Sequence, residues 1–311
     1  MSAFTLVLIF LASLTVTVVS VAVSIQVAHR WKVYDHPDMA RKTQEHPVPK
    51  LGGVAVALAF LVVTLAYFGI TGRGSDLGLA LGVLIPAAFM ALLGFFDDRR
   101  HLNPYVRLAV QAGLAALVWA TGTREDVTGF VLVDFLLFVL WVMLIVNGIN
   151  LLDNSDGLAA STTLVSALGA GVIAVLAGQE LVSALGILLA GASLGFLWHN
   201  WHPARVYLGD AGAYFLGFML AILIVRLRPD KLDEWQGLVV ALLLATLPLL
   251  DTAFVVTRRL RAGLHPFTAG RDHLSHRLQE RGSSIQLSVI QLQSISVVSV
   301  LLAVLLVVTA W

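Results

Sequence analysis

Residues 77–96 read LGLALGVLIPAAFMALLGFF, and this uncharged run passes directly into Asp97, Asp98, Arg99 and Arg100. A run of this length is about what an α-helix needs to cross the hydrocarbon core of a bilayer, roughly 20 residues. We therefore predict a membrane-spanning helix that ends in two carboxylates and two guanidinium groups. Carboxylates are costly near a bilayer and tend to be functional there, so the pair marks a candidate site.

The composition of the whole chain agrees with a membrane protein. Its 311 residues are 58% hydrophobic and 13% charged, and the mean hydropathy is +0.88. Soluble domains carry roughly a quarter charged residues, so this balance predicts a polytopic membrane protein. The net charge of +1 gives no indication of a nucleic-acid partner, and the absence of cysteine excludes disulfides and thiolate metal sites.

Apolar runs of about spanning length recur along the chain and predict about ten transmembrane helices. The predicted spans are 4–28, 51–70, 77–96, 104–121, 130–148, 158–177, 181–199, 211–227, 236–257 and 285–310. Backbone groups in lipid must pair internally, which favours helices and an all-α bundle. The first run lacks the basic start and cleavage site of a signal peptide, so we expect it to stay as a helix. We expect residues 1–311 to form a single domain, and a homodimer is plausible although no motif predicts one.

The basic residues predict the orientation of the bundle. Fifteen of the twenty Lys and Arg residues lie in, or just beyond, four segments at 29–50, 97–103, 200–210 and 258–283. All nine histidines lie in or at the edge of the same segments, which share one face if ten helices alternate. The remaining basic residues are Arg73, Arg124, Arg226, Arg228 and Lys231. Because Lys and Arg favour cytoplasmic loops, we predict that these four segments are cytoplasmic and that both termini lie outside.

Acidic residues repeat the placement of the first pair. Asp153 and Asp156 follow the fifth apolar run, and Asp210 immediately precedes the eighth. Together with Asp97 and Asp98 they all fall on the predicted cytoplasmic face. This one-sided arrangement predicts a polar cleft at that face of the membrane, and therefore an enzyme.

The stretch 94–100, GFFDDRR, allows two interpretations. The four charged groups could form a capped, self-neutralised helix end. Alternatively, adjacent carboxylates hold a divalent cation, or one serves as a base while the other fixes a metal or a cationic partner.

The stretch 147–157, NGINLLDNSDG, is more specific because it crowds amides and carboxylates into one turn without a basic residue. Asn200 begins the next cytoplasmic loop, and Asp210 ends it within the sequence YLGDAG at 207–212. We expect the small residues around Asp210 to let a phosphate or an ion approach the backbone closely.

The last cytoplasmic segment, 265–277, reads HPFTAGRDHLSHR. His273 and His276 would share a face of a helix. With Arg271 and Arg277 they suit a diphosphate better than a transition metal. The alternative is a basic loop that lies against anionic headgroups. Asp251 lies inside an apolar run, where we expect a structural partner such as an arginine or a polar helix contact.

Carboxylates without thiolates or a histidine triad predict a hard cation, most simply Mg²⁺, with Mn²⁺ as an alternative. Mg²⁺ keeps waters and shares its coordination with phosphates, so few protein ligands are needed. A membrane enzyme with such a site can join a soluble phosphorylated donor to a lipid-bound acceptor.

At five places the sequence resembles the polyprenyl-phosphate N-acetylhexosamine-1-phosphate transferases. The similar stretches are PVPKLGG at 47–53, DD at 97–98, NLLDNSDG at 150–157, LGDAG at 208–212 and HLSHR at 273–277. The resemblance implies a fold of ten or eleven helices and Mg²⁺-dependent transfer of a sugar 1-phosphate. The donor would be a UDP-sugar and the acceptor undecaprenyl phosphate, with release of UMP, at the first membrane step of making a cell-envelope glycan.

The resemblance also implies roles for individual residues. Asp210 would be the Mg²⁺ ligand, and Asp97 and Asp98 would be the acid–base or metal-adjacent pair. The cleft for the nucleotide-sugar and the metal would be lined by Asn150, Asp153, Asp156 and Asn200.

Four further residues would contact phosphates. Lys50 would lie near the lipid phosphate, and Arg271, His273 and His276 near the donor diphosphate. Whether an aspartate forms a covalent phosphoryl intermediate or the lipid phosphate attacks directly stays open, and we favour direct attack.

The sequence departs from the family pattern in two places. Ser275 stands where many relatives carry a further histidine, and Asn154-Ser155 replaces a commoner small-apolar pair. The missing triple-histidine signature of the muramoyl-pentapeptide branch favours an N-acetylglucosamine donor, with another UDP-N-acetylhexosamine as the alternative.

Two other classes of protein compete with this interpretation. A cation-coupled secondary transporter would place its carboxylates near mid-bilayer, often between repeated halves, and no repeat is evident here. A membrane scaffold with incidental charge would not confine its histidines to one face.

Overall fold

The computed structural model describes residues 1–35, 46–72, 74–124, 127–229, 232–268 and 270–310. Within these ranges the chain forms twelve α-helices and one short antiparallel strand pair. The elements are α1 (Ala3–Trp31), β1 (Tyr34–Asp35), β2 (Val48–Pro49), α2 (Gly52–Thr71), α3 (Gly74–Arg100), α4 (Pro104–Ala120), α5 (Val131–Leu152), α6 (Leu158–Leu176), α7 (Glu180–Asn200), α8 (Gly209–Val225), α9 (Glu234–Leu244), α10 (Thr246–Arg261), α11 (Leu274–Glu280) and α12 (Ile285–Thr309). Residues of the predicted charge pattern that lie outside the described ranges are His36, Arg41, Lys42, Arg73 and Lys231.

The prediction of an all-α polytopic membrane protein is confirmed. Of the described helices, seven are long and apolar enough to cross a membrane, and the bent pair α9–α10 brings the number to eight. Helices α4 and α8 are apolar but have 17 residues each. Each predicted span falls on one of these helices or on the bent pair. The total of ten, the outward termini and the single domain stay predictions.

The span predicted at 236–257 falls on two helices and is not one straight helix. Helices α9 and α10 meet at 73°. Pro248 lies in the first turn of α10 and has no N–H to donate to the carbonyl of Leu244 four residues earlier, so a straight helix cannot continue. The Thr246 hydroxyl instead donates to the carbonyls of Leu242 and Leu243, at 3.1 and 2.8 Å. The break turns α10 back towards the face that carries the acidic turns.

Helix α8 occupies the centre of the bundle. Its residues 211–224 are all buried, and it packs against α2, α3 and α5. Close approach depends on glycines: a Cβ on Gly53 would lie 2.2 Å from the backbone nitrogen of Gly212, and a Cβ on Gly94 would lie 2.2 Å from the carbonyl oxygen of Asp210. The glycines of α2 and α3 therefore bring both helices against the first turn of α8.

The strand pair places the chain that enters α2. Tyr34 pairs with Pro49 and Asp35 with Val48. The carbonyl of Pro49 accepts the N–H of Tyr207 at 2.8 Å, so the strand pair is joined to the segment before α8. Lys50, the next residue after β2, is thereby held beside the start of α8.

We expect Gly53→Ala to destabilise the fold, because the added Cβ would meet backbone atoms that cannot move without displacing α2 from α8. Overpacking of this kind costs about 1–3 kcal/mol of the free energy of unfolding. Gly69→Ala, in the same helix with no atom within 4 Å of its Cβ, is the matched control. Thermal unfolding in detergent measures both, and equal midpoints would contradict the packing role of Gly53.

Candidate active site

The residues predicted for the site come together in one cavity of about 770 Å³. It lies where the ends of α3, α5 and α10 meet the start of α8 and the loop before α11. All the predicted site residues are among its lining residues: Lys50, Asp97, Asp98, Asn150, Asp153, Asp156, Asn200, Asp210, Arg271, His273 and His276. Turns far apart in sequence therefore share one polar chamber, as the one-sided pattern of carboxylates indicates.

Asp98 caps the N-terminus of α8. Its Oδ1 accepts the backbone N–H of Asp210 at 3.1 Å, and its Oδ2 accepts that of Ala211 at 3.3 Å. The Nζ of Lys50 lies 2.8 Å from Oδ1. Burial lowers the pKa of Lys50, but the Asp98 carboxylate, together with Asp210 and Asp35, raises it above its ordinary value. The carboxylate, the ammonium and the helix N-terminus form one charge-complementary group.

Asp97 faces different partners from its neighbour. It is buried, and its Oδ2 accepts from the Tyr214 hydroxyl at 2.7 Å and from Arg107 Nη1 at 2.8 Å. Its Oδ1 accepts the N–H of Leu102 at 2.9 Å. Both oxygens are thus used to join α3 to α4 and α8. This geometry favours an anchoring role for Asp97. That role is close to the first interpretation of the stretch 94–100, in which its charged groups form a capped, self-neutralised helix end.

Asp210 and Asp153 are the less compensated carboxylates of the cavity. Asn150 Nδ2 donates to Asp210 Oδ1 at 2.6 Å. Of the described residues, none forms a side-chain hydrogen bond or ion pair with the Asp153 carboxylate. Burial raises the pKa of Asp153 well above its ordinary value, and the neighbouring Asp210 and Asp98 carboxylates raise it further. A cation bound at this end of the cavity would therefore stabilise the charged forms of these carboxylates.

Asp156 and Asn200 hold neighbouring loops together. His202 Nδ1 lies 2.6 Å from Asp156 Oδ2. The Asn200 amide accepts the N–H of Gly157 and donates to the carbonyl of Val206, both at 2.9 Å. These contacts join the turn after α5 to the loop after α7. They leave Asp156 and Asn200 at the cavity wall with most of their polar atoms already bonded to protein.

The histidine motif contributes one carboxylate-bound imidazole. His273 Nδ1 lies 2.8 Å from Asp251 Oδ2, and Asp251 Oδ1 accepts the N–H of Leu274 at 2.9 Å. The expected structural partner of Asp251 is therefore a histidine and the start of α11. The rings of His273 and His276 lie 5.5 Å apart, centroid to centroid. Because Nδ1 of His273 is engaged, the other edge of that ring is the one available to a ligand.

His276 differs in charge from the predicted cationic cluster. Burial, followed by the nearby His273 and Arg271, lowers the pKa of His276 to about 4. The imidazole is therefore neutral near pH 7. Arg277 pairs with Glu280 at 2.7 Å and does not line the cavity. Of the four predicted groups, His276 therefore contributes no positive charge to this wall near pH 7, and Arg277 lies outside the cavity.

Comparison with known proteins identifies the family. A model described as glycosyl transferase family 4 matches residues 80–228. A probable undecaprenyl-phosphate N-acetylglucosaminyl 1-phosphate transferase of Bacillus subtilis is 30% identical over 298 residues, which cover 92% of this chain and 80% of the relative. The chain belongs to glycosyl transferase family 4.

Other relatives in the family carry two kinds of name. A decaprenyl-phosphate N-acetylglucosaminephosphotransferase of Mycolicibacterium smegmatis is 30% identical, over 78% of this chain and 68% of the relative. A phospho-N-acetylmuramoyl-pentapeptide-transferase of Streptococcus thermophilus is 30% identical, over 72% of each. These names confirm the resemblance found in the motifs, and they give no support to a transporter.

The expectation that glycines open the backbone near Asp210 to a ligand is wrong for this family member. A Cβ on Gly209 would lie 2.7 Å from Asp98 Oδ2, and one on Gly212 would lie 2.5 Å from the Cα of Gly53. The space beside these glycines is filled by protein. Their small size lets the capping carboxylate and α2 approach α8.

Two arginines of the site were not predicted as site residues. Arg107 lines the cavity ten positions after Asp97, its partner. Arg259 is buried and binds Asp272 through two nitrogens, at 2.8 and 2.9 Å, and also the carbonyl of Pro266 at 2.6 Å. A single arginine just inside an apolar run is the only sequence signal for Arg107. Arg259 lies among other arginines, Arg258 and Arg261, so the sequence does not distinguish it as a site residue.

The different surroundings of Asp97 and Asp153 predict different effects on stability. Asp97→Ala would leave the Arg107 guanidinium and the Tyr214 hydroxyl without their acceptor, at a cost of about 3 kcal/mol. Asp153→Ala would remove a repulsive buried charge and should leave stability unchanged or raised. Thermal unfolding in detergent tests the contrast, and equal losses would show that Asp97 is not an anchor.

The low pKa of His276 predicts a dependence of stability on pH. As the pH falls from 6.5, the unfolded chain binds a proton at this position before the folded protein does. Stability is therefore lost between about pH 6.5 and pH 4. His276→Gln should flatten this loss in unfolding midpoints measured at pH 7.5, 6 and 5. The exposed His265 provides the control variant His265→Gln, and an unchanged slope in His276→Gln would refute the assignment.

Proposed function

We propose that this protein transfers N-acetylglucosamine 1-phosphate from UDP-N-acetylglucosamine to undecaprenyl phosphate and releases UMP. The observation that carries the proposal is one cavity lined by charged residues on one side and by apolar residues of α5 and α10 on another. The names of the relatives from B. subtilis and M. smegmatis support the same reaction. In a bacterial cell the protein would act at the cell membrane, at the first membrane step of a cell-envelope glycan.

The apolar wall suits a lipid acceptor. Leu140, Met143 and Leu144 of α5 and Val256 of α10 line the cavity, and Leu140 and Leu144 are exposed. A prenyl chain could therefore remain in the bilayer while its phosphate reaches the polar floor. This geometry favours a lipid substrate over a soluble acceptor.

Two cationic side chains of the cavity could bind the acceptor phosphate. Lys50 and Arg107 line the cavity on the side of Asp98 and Asp97, and each is held by one of those carboxylates. Each cation keeps further N–H groups for a phosphate. We therefore place the acceptor phosphate near Lys50, as the family resemblance implies, and add Arg107 to its contacts.

The donor diphosphate belongs at the opposite wall. Arg271 supplies a permanent charge, and the free edge of His273 supplies a further polar contact. Neutral His276 can contribute a hydrogen bond but no charge near pH 7. The UDP-sugar would thus approach from the cytoplasmic side, in the orientation that the basic loops predict.

The donor set fits a hard divalent cation. Asp210 and Asp153 present carboxylate oxygens without a salt bridge from any described residue, whereas Asp98 is already bonded to Lys50 and to the N-terminus of α8. In the described part of the chain, no three His, Asp or Glu side chains form a complete metal site. Mg²⁺ needs few protein ligands because it keeps waters and shares phosphate oxygens. We propose Asp210 with Asp153, in preference to Asp98, for Mg²⁺ or Mn²⁺, which would neutralise the donor phosphates.

The bond changes follow from these positions. An oxygen of the lipid phosphate attacks the phosphorus next to the sugar, forming a new P–O–P link. The bond from that phosphorus to the bridging oxygen breaks, and UMP leaves with the oxygen. The attacking phosphate is already an anion, so we favour direct transfer over a covalent aspartyl intermediate. The engagement of both oxygens of Asp97 with protein donors supports this choice.

The sugar itself admits a second candidate. The S. thermophilus relative is named for an N-acetylmuramoyl-pentapeptide substrate, at the same identity as the others. A panel of UDP-sugars offered to purified protein separates the donors. Preference for UDP-N-acetylglucosamine supports the proposal, and preference for the muramoyl-pentapeptide donor overturns the sugar assignment.

The reaction is tested by transfer of radiolabel from UDP-N-acetylglucosamine into organic-extractable lipid, with undecaprenyl phosphate and Mg²⁺. Asp210→Asn should reduce turnover at least a hundredfold, and added Mg²⁺ should restore little, because the variant keeps the side-chain volume but loses the charge. Asp233→Asn, at the start of α9 and away from the cavity, is the control and should keep wild-type activity. Normal turnover in Asp210→Asn would refute the metal assignment, and the absence of lipid product in the wild type would refute the reaction.

A further inference from the structure

A second groove lies between α10, α11 and α12, separate from the catalytic cavity. Its volume is about 640 Å³, and none of its lining residues lines the cavity. We call it the α11 groove. Its apolar walls are formed by Phe254, Leu274, Leu278, Leu292 and Ile295.

The open end of the α11 groove is basic. Arg277 of α11 and Arg281, the residue that follows α11, line it together with Glu280, which pairs with Arg277 at 2.7 Å. Arg258 of α10 lies over the ring of Phe254, 5.7 Å from its centroid. Among the described residues, three arginines and one glutamate therefore lie around this end of the groove.

Arg258 has an unused donor at this position. Its Nη1 is shielded from solvent and has no hydrogen-bond partner among the described residues. A buried guanidinium nitrogen without an acceptor is costly. Arg258 does not line the groove itself, but it lies against the lining residue Phe254, so an anionic group bound in the groove would bring negative charge close to this guanidinium.

The groove has a charged end and apolar walls, which matches the charged headgroup and the apolar chains of a membrane lipid. Arg277 on α11 and Arg281 directly after it precede α12 and are exposed at the surface of the bundle. Ile295 lies ten residues into α12, which corresponds to roughly 15 Å at the rise of an α-helix. The basic end is thus at headgroup level, and the apolar walls descend into the hydrocarbon region.

We propose that the α11 groove binds an anionic phospholipid. Its phosphate would contact Arg277 and Arg281, and an acyl chain would lie between Leu278 and Ile295. Basic pockets between transmembrane helices characteristically hold anionic headgroups. A zwitterionic lipid would bring its ammonium group against the same arginines.

The groove is a poorer match for the other candidates. The acceptor of the proposed reaction must place its phosphate in the catalytic cavity, which shares no lining residue with the groove. A protein partner would have to reach apolar walls that descend between two membrane helices. The site is close to the chemistry nonetheless, since Leu274 and Leu278 share α11 with His276 of the cavity wall.

Retention of lipid in native mass spectrometry tests the proposal. The full-length protein is purified in detergent with phosphatidylglycerol or phosphatidylcholine of matched chains. We expect the wild type to keep one phosphatidylglycerol and at least tenfold less phosphatidylcholine. Arg277→Gln with Arg281→Gln should lower retention of phosphatidylglycerol about tenfold. Arg261→Gln removes an exposed arginine of the same region that does not line the groove, and it should retain lipid like the wild type.

Ile295→Trp separates the groove from general surface charge. It keeps every arginine but fills the apolar end, so retention should fall if the acyl chain lies there. Unchanged retention in this variant, or in the double arginine variant, would overturn the proposal. So would equal retention of the two lipids by the wild type, or displacement of phosphatidylglycerol by equimolar undecaprenyl phosphate. Lipid retention does not depend on transfer activity, so this test can fail while the proposed reaction is correct, and the reverse is also true.

Discussion

The cap of α8 by Asp98 is the interaction on which the site depends. The first N–H groups of a helix have no partner within it, and a carboxylate satisfies them while it also meets the positive end of the helix dipole. Here that carboxylate comes from α3, and Lys50 from the chain before α2 neutralises it. Three elements are thereby fixed around the first turn of α8, and Asp210 is presented to the cavity from that turn.

The same constraint explains the glycines around α8. Asp98 can reach the helix start because Gly209 has no Cβ and adopts a positive φ of 66°. Gly94 and Gly53 let α3 and α2 approach without side chains between the backbones. Small residues at helix contacts are a general means of close packing in membranes, where burial of apolar surface gives no net drive. In this protein the close packing also sets the distance between the capping carboxylate and Asp210.

The carboxylates of the cavity fall into two groups that look alike in sequence. Asp97 and Asp156 are bonded to donors of neighbouring elements, so they hold α4 and the loop after α7 in place. Asp153 and Asp210 have no such ion pair with any residue that the structure describes, and they remain close to one another. A buried anchoring carboxylate needs a partner, whereas the proposed metal ligands would need charge that no protein group neutralises.

The sequence by itself determined the class of the molecule, and it predicted residues that the fold brings to one cavity. Hydropathy over about twenty residues is a local property, so the apolar runs predict the membrane helices, and the one-sided acidic turns predict a shared cavity. The family resemblance rested on motifs that are likewise contiguous. Only the tertiary structure decided which carboxylate is an anchor, where α9 and α10 bend, and that Arg107 joins the site. These depend on how each helix is rotated and how closely it approaches its neighbours, because a side chain finds its partner across helices and not along the chain.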